Sequence, residues 1–201
     1  MIFVDDKSSD TTAQLIKEVI DNKNFRAIFH EKNIGRGGAV SDGIRVARGR
    51  IVGYLDIDLE IALEYIPKML FAVNNGWDVV CAKRSSKFAI LNVFRDLLHN
   101  LYKLFANIVL SLPVSDPNAG CKFFNREKIL PVLDKTIDKH WFWDTEIIKR
   151  AKLEGLSIKE VPVVYVRNFR KKSSVSVFSD TIHFIKQLFW LRQQLSKGIK
   201  K

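Results

Sequence analysis

Between Ile2 and Ala82 short apolar runs alternate with amphipathic stretches, and this alternation constrains the fold more than any other feature. The runs are Ile2-Phe3-Val4, Arg26 to His30, Arg50 to Leu55 and Trp77 to Ala82. A strand with one wet face alternates apolar and polar residues, whereas a nearly continuous apolar run is buried on both faces. The intervening stretches have helical spacing, as at Leu15, Ile16, Val19 and Ile20 after the capping residues Asp10-Thr11-Thr12. Helices are expected over about 37–48 and 64–75. The expected fold class is therefore α/β, a mainly parallel sheet flanked by helices on both faces.

Beyond Arg84 the rhythm changes. Phe88 to Leu112 reads as a long apolar helix with one wet stripe, and Pro113 and Pro117 bracket a loop. Gly120 to Phe124 reads as a strand and Arg126 to Leu133 as a short helix. Phe142 to Glu154 reads as a helix stopped by Gly155. Pro162 within Ile158–Val166 marks that strand as an edge. A basic loop, 167–174, leads to an amphipathic helix over about Ser179 to Leu195. Its apolar face is expected to hold Phe178, Ile182, Ile185, Leu188, Phe189 and Leu195. The expected division is a body, 1–166, and a basic appendage, 167–201.

Charge follows that division. The 201 residues carry a net charge of +11, but residues 167–201 hold nine Lys/Arg against one acid, Asp180. A basic appendage seeks an anionic partner: a nucleic acid, a phosphate-bearing ligand or an anionic membrane surface. Nucleic acid is disfavoured, because the basic residues lie on no recognisable module and the acids at the strand ends would repel a phosphate backbone. The two cysteines, Cys81 and Cys121, form no CxxC pattern, and no His stands at metal-ligand spacing from them. The start meets acids by its fifth residue, unlike a signal peptide. The longest uncharged apolar stretch, Leu104 to Ser115, has twelve residues, short of the roughly 18–20 that span a bilayer. The expected location is cytoplasmic and peripherally membrane-associated.

Five local patterns can carry chemistry. Asp56-Ile57-Asp58 ends a buried strand, where ligands bind in open parallel sheets. Two carboxylates there can hold a hard cation such as Mg²⁺ or Mn²⁺ with phosphate oxygens, or stand solvated. A calcium loop is excluded, because Ile61 occupies the position that needs glycine. Val4-Asp5-Asp6 can accept hydrogen bonds from a ribose or base edge, and nearby Asp10 can cap the following helix. Asn33-Ile-Gly35-Arg36-Gly37-Gly38 precedes a helix and can present N–H groups to an anion, although it fits neither nucleotide-binding glycine fingerprint. Asp116-Pro-Asn-Ala-Gly120-Cys-Lys122 presents an acid, a glycine and a lysine. Trp141-Phe-Trp-Asp144-Thr-Glu146 reads as the start of a core helix.

In this order the patterns resemble family 2 glycosyltransferases of the GT-A fold, and more closely the dolichol-phosphate mannose synthase type that glycosylates polyprenyl phosphates. The resemblance spans about residues 2–175. It includes Ala47-Arg48-Gly49, Lys83-Arg84, Arg95, Asp144-x-Glu146 and Val161-Pro162-Val163 besides the patterns above. It implies that Asp5, Asp6, Asn33, Gly35, Arg36 and Asp56 bind the nucleotide. Asp56, Asp58 and Glu60 would bind Mg²⁺ or Mn²⁺ on the diphosphate. Arg84, Arg95, Lys122, Arg167 and Lys172 would bind the acceptor phosphate, and Asp56, Asp58 and Lys122 would be catalytic. The implied donor is a nucleotide-sugar of GDP-mannose or UDP-glucose type, and the implied acceptor is a polyprenyl phosphate. The reaction would be inverting and metal-dependent at the membrane surface, where a membrane-protein partner is also expected. Two departures stand out: the family's first strand and helix have no counterpart before Met1, and Glu60 replaces a common Gln. An alternative expectation is an impaired relative that binds a membrane or a partner.

Overall fold

A computed structural model describes residues 1–20, 24–85, 104–166 and 177–198. The strands are β1 (Ile2–Asp5), β2 (Arg26–Phe29), β3 (Ile51–Leu55), β4 (Val79–Ser85), β5 (Cys121–Asn125) and β6 (Ile158–Val164). The helices are α1 (Thr12–Val19), α2 (Arg36–Val46), α3 (Ile66–Asn74), α4 (104–110), α5 (Arg126–Lys135), α6 (Trp143–Leu153) and α7 (Val177–Gly198). A 3₁₀ turn, Leu63–Tyr65, leads into α3.

β1 and β2 pair in parallel. The larger sheet has the order β3-β5-β4-β6. β4 and β6 are parallel, whereas β5 is antiparallel to both β3 and β4. Three of the four strands thus run one way, as expected, and β5 is inserted in the opposite sense. β6 lies at the end of the order, where Pro162 costs no interior ladder bond.

The apolar runs are explained by two cores, one on each face of this sheet. Val79 and Cys81 join Val52, Phe124, Ile129, Trp143 and Ile147 on the α5–α6 side. Val80 and Ala82 join Met69, Ala72, Cys121, Val161 and Val163 on the α3 side. Successive residues of a strand point to opposite faces, so a strand sandwiched between helices favours apolar residues at nearly every position. Burial pushes the Cys81 and Cys121 thiols up to about 12, so both are inert.

A third cluster joins Ala106 and Leu110 of α4, Phe142, and Leu188 and Leu191 of α7. The apolar face expected of α7 is thereby divided. Leu188 is buried, but its partner is Leu191, while Ile185 and Phe189 remain exposed at 37% and 50%. Packing against α4 and Phe142 selects a stripe rotated from the one expected from the periodicity. The side chains of Phe178 and Ile182 lie outside the described residues, as do the expected helix start at Phe88 and the loop 167–174.

Candidate functional site

β3 delivers Asp56 at its C-terminal end, and the chain then turns sharply. Leu59 N–H donates to the Asp56 carbonyl, 3.3 Å, and Leu59 adopts φ 52. This left-handed conformation is costly for a residue with a side chain and is typically kept where a site needs it. The turn places Asp56, Asp58 and Glu60 along a small open cleft that Arg84, Asn118 and Tyr165 also line.

Each wall of the cleft is held from behind. The Arg84 guanidinium grips buried Asp116 with Nε to Oδ2 at 2.8 Å and Nη2 to Oδ1 at 2.7 Å. The Arg84 backbone N–H also donates to Asp116. Asp116 is held in turn by Glu160 on β6, whose carboxylate accepts from the N–H groups of Ser115 and Asp116. Beside it, the Tyr165 hydroxyl donates to Glu60 at 2.6 Å, and Val166 N–H donates to the Glu60 carbonyl at 2.9 Å.

Asp56 has a close neighbour on each side. Its Oδ1 accepts from Arg36 Nε at 3.1 Å and Nη2 at 2.8 Å. A Cβ on Gly120 would stand only 2.0 Å from its Oδ2, so any side chain at 120 would force the Asp56 carboxylate to move. Arg36 also reaches Asp144 with Nη1 to Oδ2 at 2.6 Å. The guanidinium lies over the rings of Tyr54 and Trp141, 5.2 and 5.5 Å from their centroids. Behind it, Lys122 Nζ donates to Asp144 at 2.7 Å, to Tyr54 Oη at 2.8 Å and to the Ala119 carbonyl at 2.8 Å. The Tyr54 hydroxyl donates to Asp144.

Buried charge in this network is matched unevenly. Burial alone would raise the Asp144 carboxyl, but Arg36 and Lys122 hold it below its ordinary range. Burial raises the Asp56 carboxyl, Arg36 only partly offsets this, and Asp144 and Asp58 raise it further. The Tyr54 hydroxyl is pushed well above its ordinary value by burial and by Asp144.

The end of β1 supplies a second cluster. Asp5 is buried, and its carboxylate accepts from the backbone N–H and hydroxyl of Ser8, tying it into its own turn. Asp6 accepts from Ile34 N–H at 2.9 Å and Gly35 N–H at 2.8 Å, and His30 Nδ1 lies 2.8 Å from it. These bonds hold its carboxyl low against the opposing effect of burial. Asn33 Nδ2 donates to the Asp6 carbonyl at 3.0 Å. Gly35, at φ 96, turns the chain so that Arg36 begins α2 pointing at Asp56.

The residues expected from the sequence thus separate into three groups. Asp56, Asp58, Glu60 and Arg84 line one cleft. Asp6, Asn33 and Gly35 bind one another and are joined to that cleft by Arg36. Lys122 corrects the expectation of an acceptor contact. It is wholly buried, because β5 lies between β3 and β4 and position 122 faces the α6 side. Nor do Asp56, Asp58 and Glu60 form a ready-made trio of metal ligands among the described residues, since Glu60 is drawn to Tyr165 and Asp56 to Arg36. Arg95, Arg167 and Lys172 lie outside the described residues. Sequence reasoning assigned no role to Tyr54, Trp141 or Tyr165, which read as core or strand aromatics. Asp116 and Asp144 were visible as motif residues, as were Arg84 and Arg36, but not that Arg84 pairs with Asp116 and Arg36 with Asp144.

Comparison with known proteins follows the same lines. Residues 1–131 match the family described as Glycosyl transferase family 2. A dolichyl-phosphate beta-glucosyltransferase of Dictyostelium discoideum is 27% identical over 215 residues, covering 100% of this chain and 64% of that protein. Glycosyltransferase AglD of Haloferax volcanii is 28% identical over 167 residues, covering 81% of this chain and 27% of that protein. The chain therefore spans only part of the length of these relatives. The glucosyl-3-phosphoglycerate synthase of Mycobacterium tuberculosis, solved with Mn²⁺, UDP-glucose and phosphoglyceric acid, superposes with a TM-score of 0.69 at 17% identity. That superposition covers 96% of this chain and 68% of the other, and it identifies the fold as GT-A.

Proposed function

The chain belongs to glycosyl transferase family 2, and from that premise we propose that it moves a sugar from a nucleoside-diphosphate donor, of UDP-glucose type, to a polyprenyl phosphate. The observation that carries this reading is the cleft itself, which Asp56, Asp58 and Arg84 line together. A nucleoside diphosphate approaches the carboxylate wall only with a cation, and a phosphate acceptor suits the guanidinium. The glucosyl donor follows the names of the relatives, dolichyl-phosphate beta-glucosyltransferases of Dictyostelium discoideum and Saccharomyces cerevisiae.

In the reaction, an oxygen of the acceptor phosphate attacks the anomeric carbon, the bond from that carbon to the diphosphate breaks, and a nucleoside diphosphate leaves. Attack from the opposite side inverts the anomeric centre. A phosphate is already ionised at neutral pH, so positioning and charge neutralisation carry the rate rather than a general base. Arg84, locked by Asp116, holds the acceptor phosphate. Asp6, through the turn it fixes at 33–35, orders the nucleotide side. Asp5 braces the turn that follows β1 through Ser8. Lys122 acts as a positioning residue for Asp144 and, through it, for Arg36.

A divalent cation fits this donor set. Asp56 and Asp58 present hard carboxylate oxygens to one cleft. Bound between these residues and the diphosphate, Mg²⁺ or Mn²⁺ would offset the charge that develops on the leaving group.

Residues 1–166 form the transferase body in this reading, and 167–201 bring it to an anionic membrane surface. Leu104 and Ile108 of α4 stand 59% and 68% exposed, beside the exposed Ile185 and Phe189 of α7. Among the described residues no helix is long and apolar enough to cross a membrane. The deciding experiment offers the purified chain labelled UDP-glucose or GDP-mannose, dolichyl phosphate and Mn²⁺. Label from UDP-glucose enters the lipid phase, and chelation or Asp58→Ala abolishes the transfer. Transfer that survives both changes removes the metal, and no transfer from either donor refutes the enzymatic reading.

A further inference from the structure

Arg36 bridges two carboxylates that differ in how firmly they are held. Asp144, with its side chain 3% exposed, also receives Lys122 and Tyr54. Asp56, with its side chain 37% exposed, receives Arg36 on Oδ1 and opens onto the cleft. One end of the bridge is therefore fixed and the other is weak. The guanidinium also has a place to remain if the weak end lets go, because Asp144 and the Tyr54 and Trp141 rings surround it.

A dication brought to Asp56 meets the positive charge of Arg36 about one hydrogen-bond length beyond the shared oxygen. Within a partly buried cleft, like charges at such range repel more strongly than in bulk water. We propose that Arg36 is a displaceable counter-ion of Asp56, neutralising that carboxylate until a divalent cation binds and then staying on Asp144 alone. It is a positioning residue, since it acts on the cation through Asp56. The arrangement keeps the partly enclosed Asp56 carboxylate from standing unpaired between binding events. It also weakens binding of the bare cation. Arg36 would leave Asp56 more readily when the donor's diphosphate supplies a second anion. The inference rests on the metal-dependent reading above.

The test uses the whole chain and the metal alone. Mn²⁺ is titrated without nucleotide and read by electron paramagnetic resonance, in the wild type and in Arg36→Gln, Arg36→Lys and Asp56→Asn. Arg36→Gln binds Mn²⁺ about tenfold more tightly than wild type. Arg36→Lys, which keeps a cation beside Asp144 and guards against a folding defect, binds more tightly by a smaller factor because it loses the two-pronged grip. Asp56→Asn binds more weakly. A second readout separates displacement from simple loss of charge. Mg²⁺ changes the fluorescence of the wild type, and Trp141→Phe removes that change, because Trp141 covers the guanidinium that moves. Equal Mn²⁺ affinity in wild type, Arg36→Gln and Arg36→Lys overturns the counter-ion role and leaves the metal reading standing. A Mg²⁺ response unaltered in Trp141→Phe overturns the counter-ion role in the same way. Absence of Mn²⁺ binding in all four proteins overturns the metal reading, and the counter-ion role with it.

Discussion

Gly120 decides where Asp56 can stand. It lies just before β5, bonds Asp56 N–H through its carbonyl at 2.9 Å, and leaves room for a carboxylate where any other residue has a Cβ. In Gly120→Ala the Asp56 side chain must rotate away from Arg36. The expected outcome is a folded protein destabilised by ~1–3 kcal/mol, as in other overpacked sites, that has lost Mn²⁺ binding. Thermal unfolding and the Mn²⁺ titration check it, and unchanged Mn²⁺ affinity would refute the crowding argument. Asp144 sets a pH dependence. Its carboxyl, ordinarily near 3.8, is held lower in the folded chain by Arg36 and Lys122. A depressed carboxyl stabilises the fold above its unfolded value, and that stability is lost as pH falls through the folded value. Asp56 is raised and works in the opposite direction, since its protonation favours the fold. Urea midpoints measured from about pH 7 to about pH 3 should therefore fall most steeply below about pH 4. In Asp144→Asn they should start lower and fall less. An equal slope in both proteins would remove Asp144 as the source.

At the scale of elements, β5 and α7 are the two whose roles the chain's periodicity leaves open. The residues of β5 read as a strand in isolation, but its insertion between β3 and β4 decides that Lys122 and Phe124 face the α6 side while Cys121 faces α3. Lys122 is a buried strut for that reason. α7 has enough apolar residues for more than one face, and α4 with Phe142 selects Leu188 and Leu191. Leu188→Ala should cost ~2–5 kcal/mol, the range for large-to-small changes in a core. Phe189→Ser, at a half-exposed position whose ring meets Phe105 edge-on, should cost only ~1 kcal/mol in urea unfolding, yet reduce binding to vesicles. If Phe189→Ser unfolds the chain as Leu188→Ala does, the face of α7 is assigned wrongly.

For the whole molecule, charge and architecture point to different ends of one arrangement. The body carries the cleft, and the appendage carries +8 of the +11. Replacing Lys197, Lys200 and Lys201 with Gln should weaken flotation with phosphatidylserine vesicles by about tenfold or more, since each basic residue near an anionic surface contributes ~1 kcal/mol. Added salt should narrow the difference, and equal flotation would move the membrane contact elsewhere. The sequence by itself determined the layered α/β architecture, the edge position of β6 and the acids at the strand ends, because buried strands, prolines and turns leave local signatures. It also drew Asp6, Asn33 and Gly35 into one group through motif order. Only the tertiary structure decided which charges meet. Arg36 finds Asp144 from 108 residues away, and Arg84 finds Asp116 across 32. No local pattern encodes those pairings, since they depend on which strand lies between which and on which face each side chain is turned to.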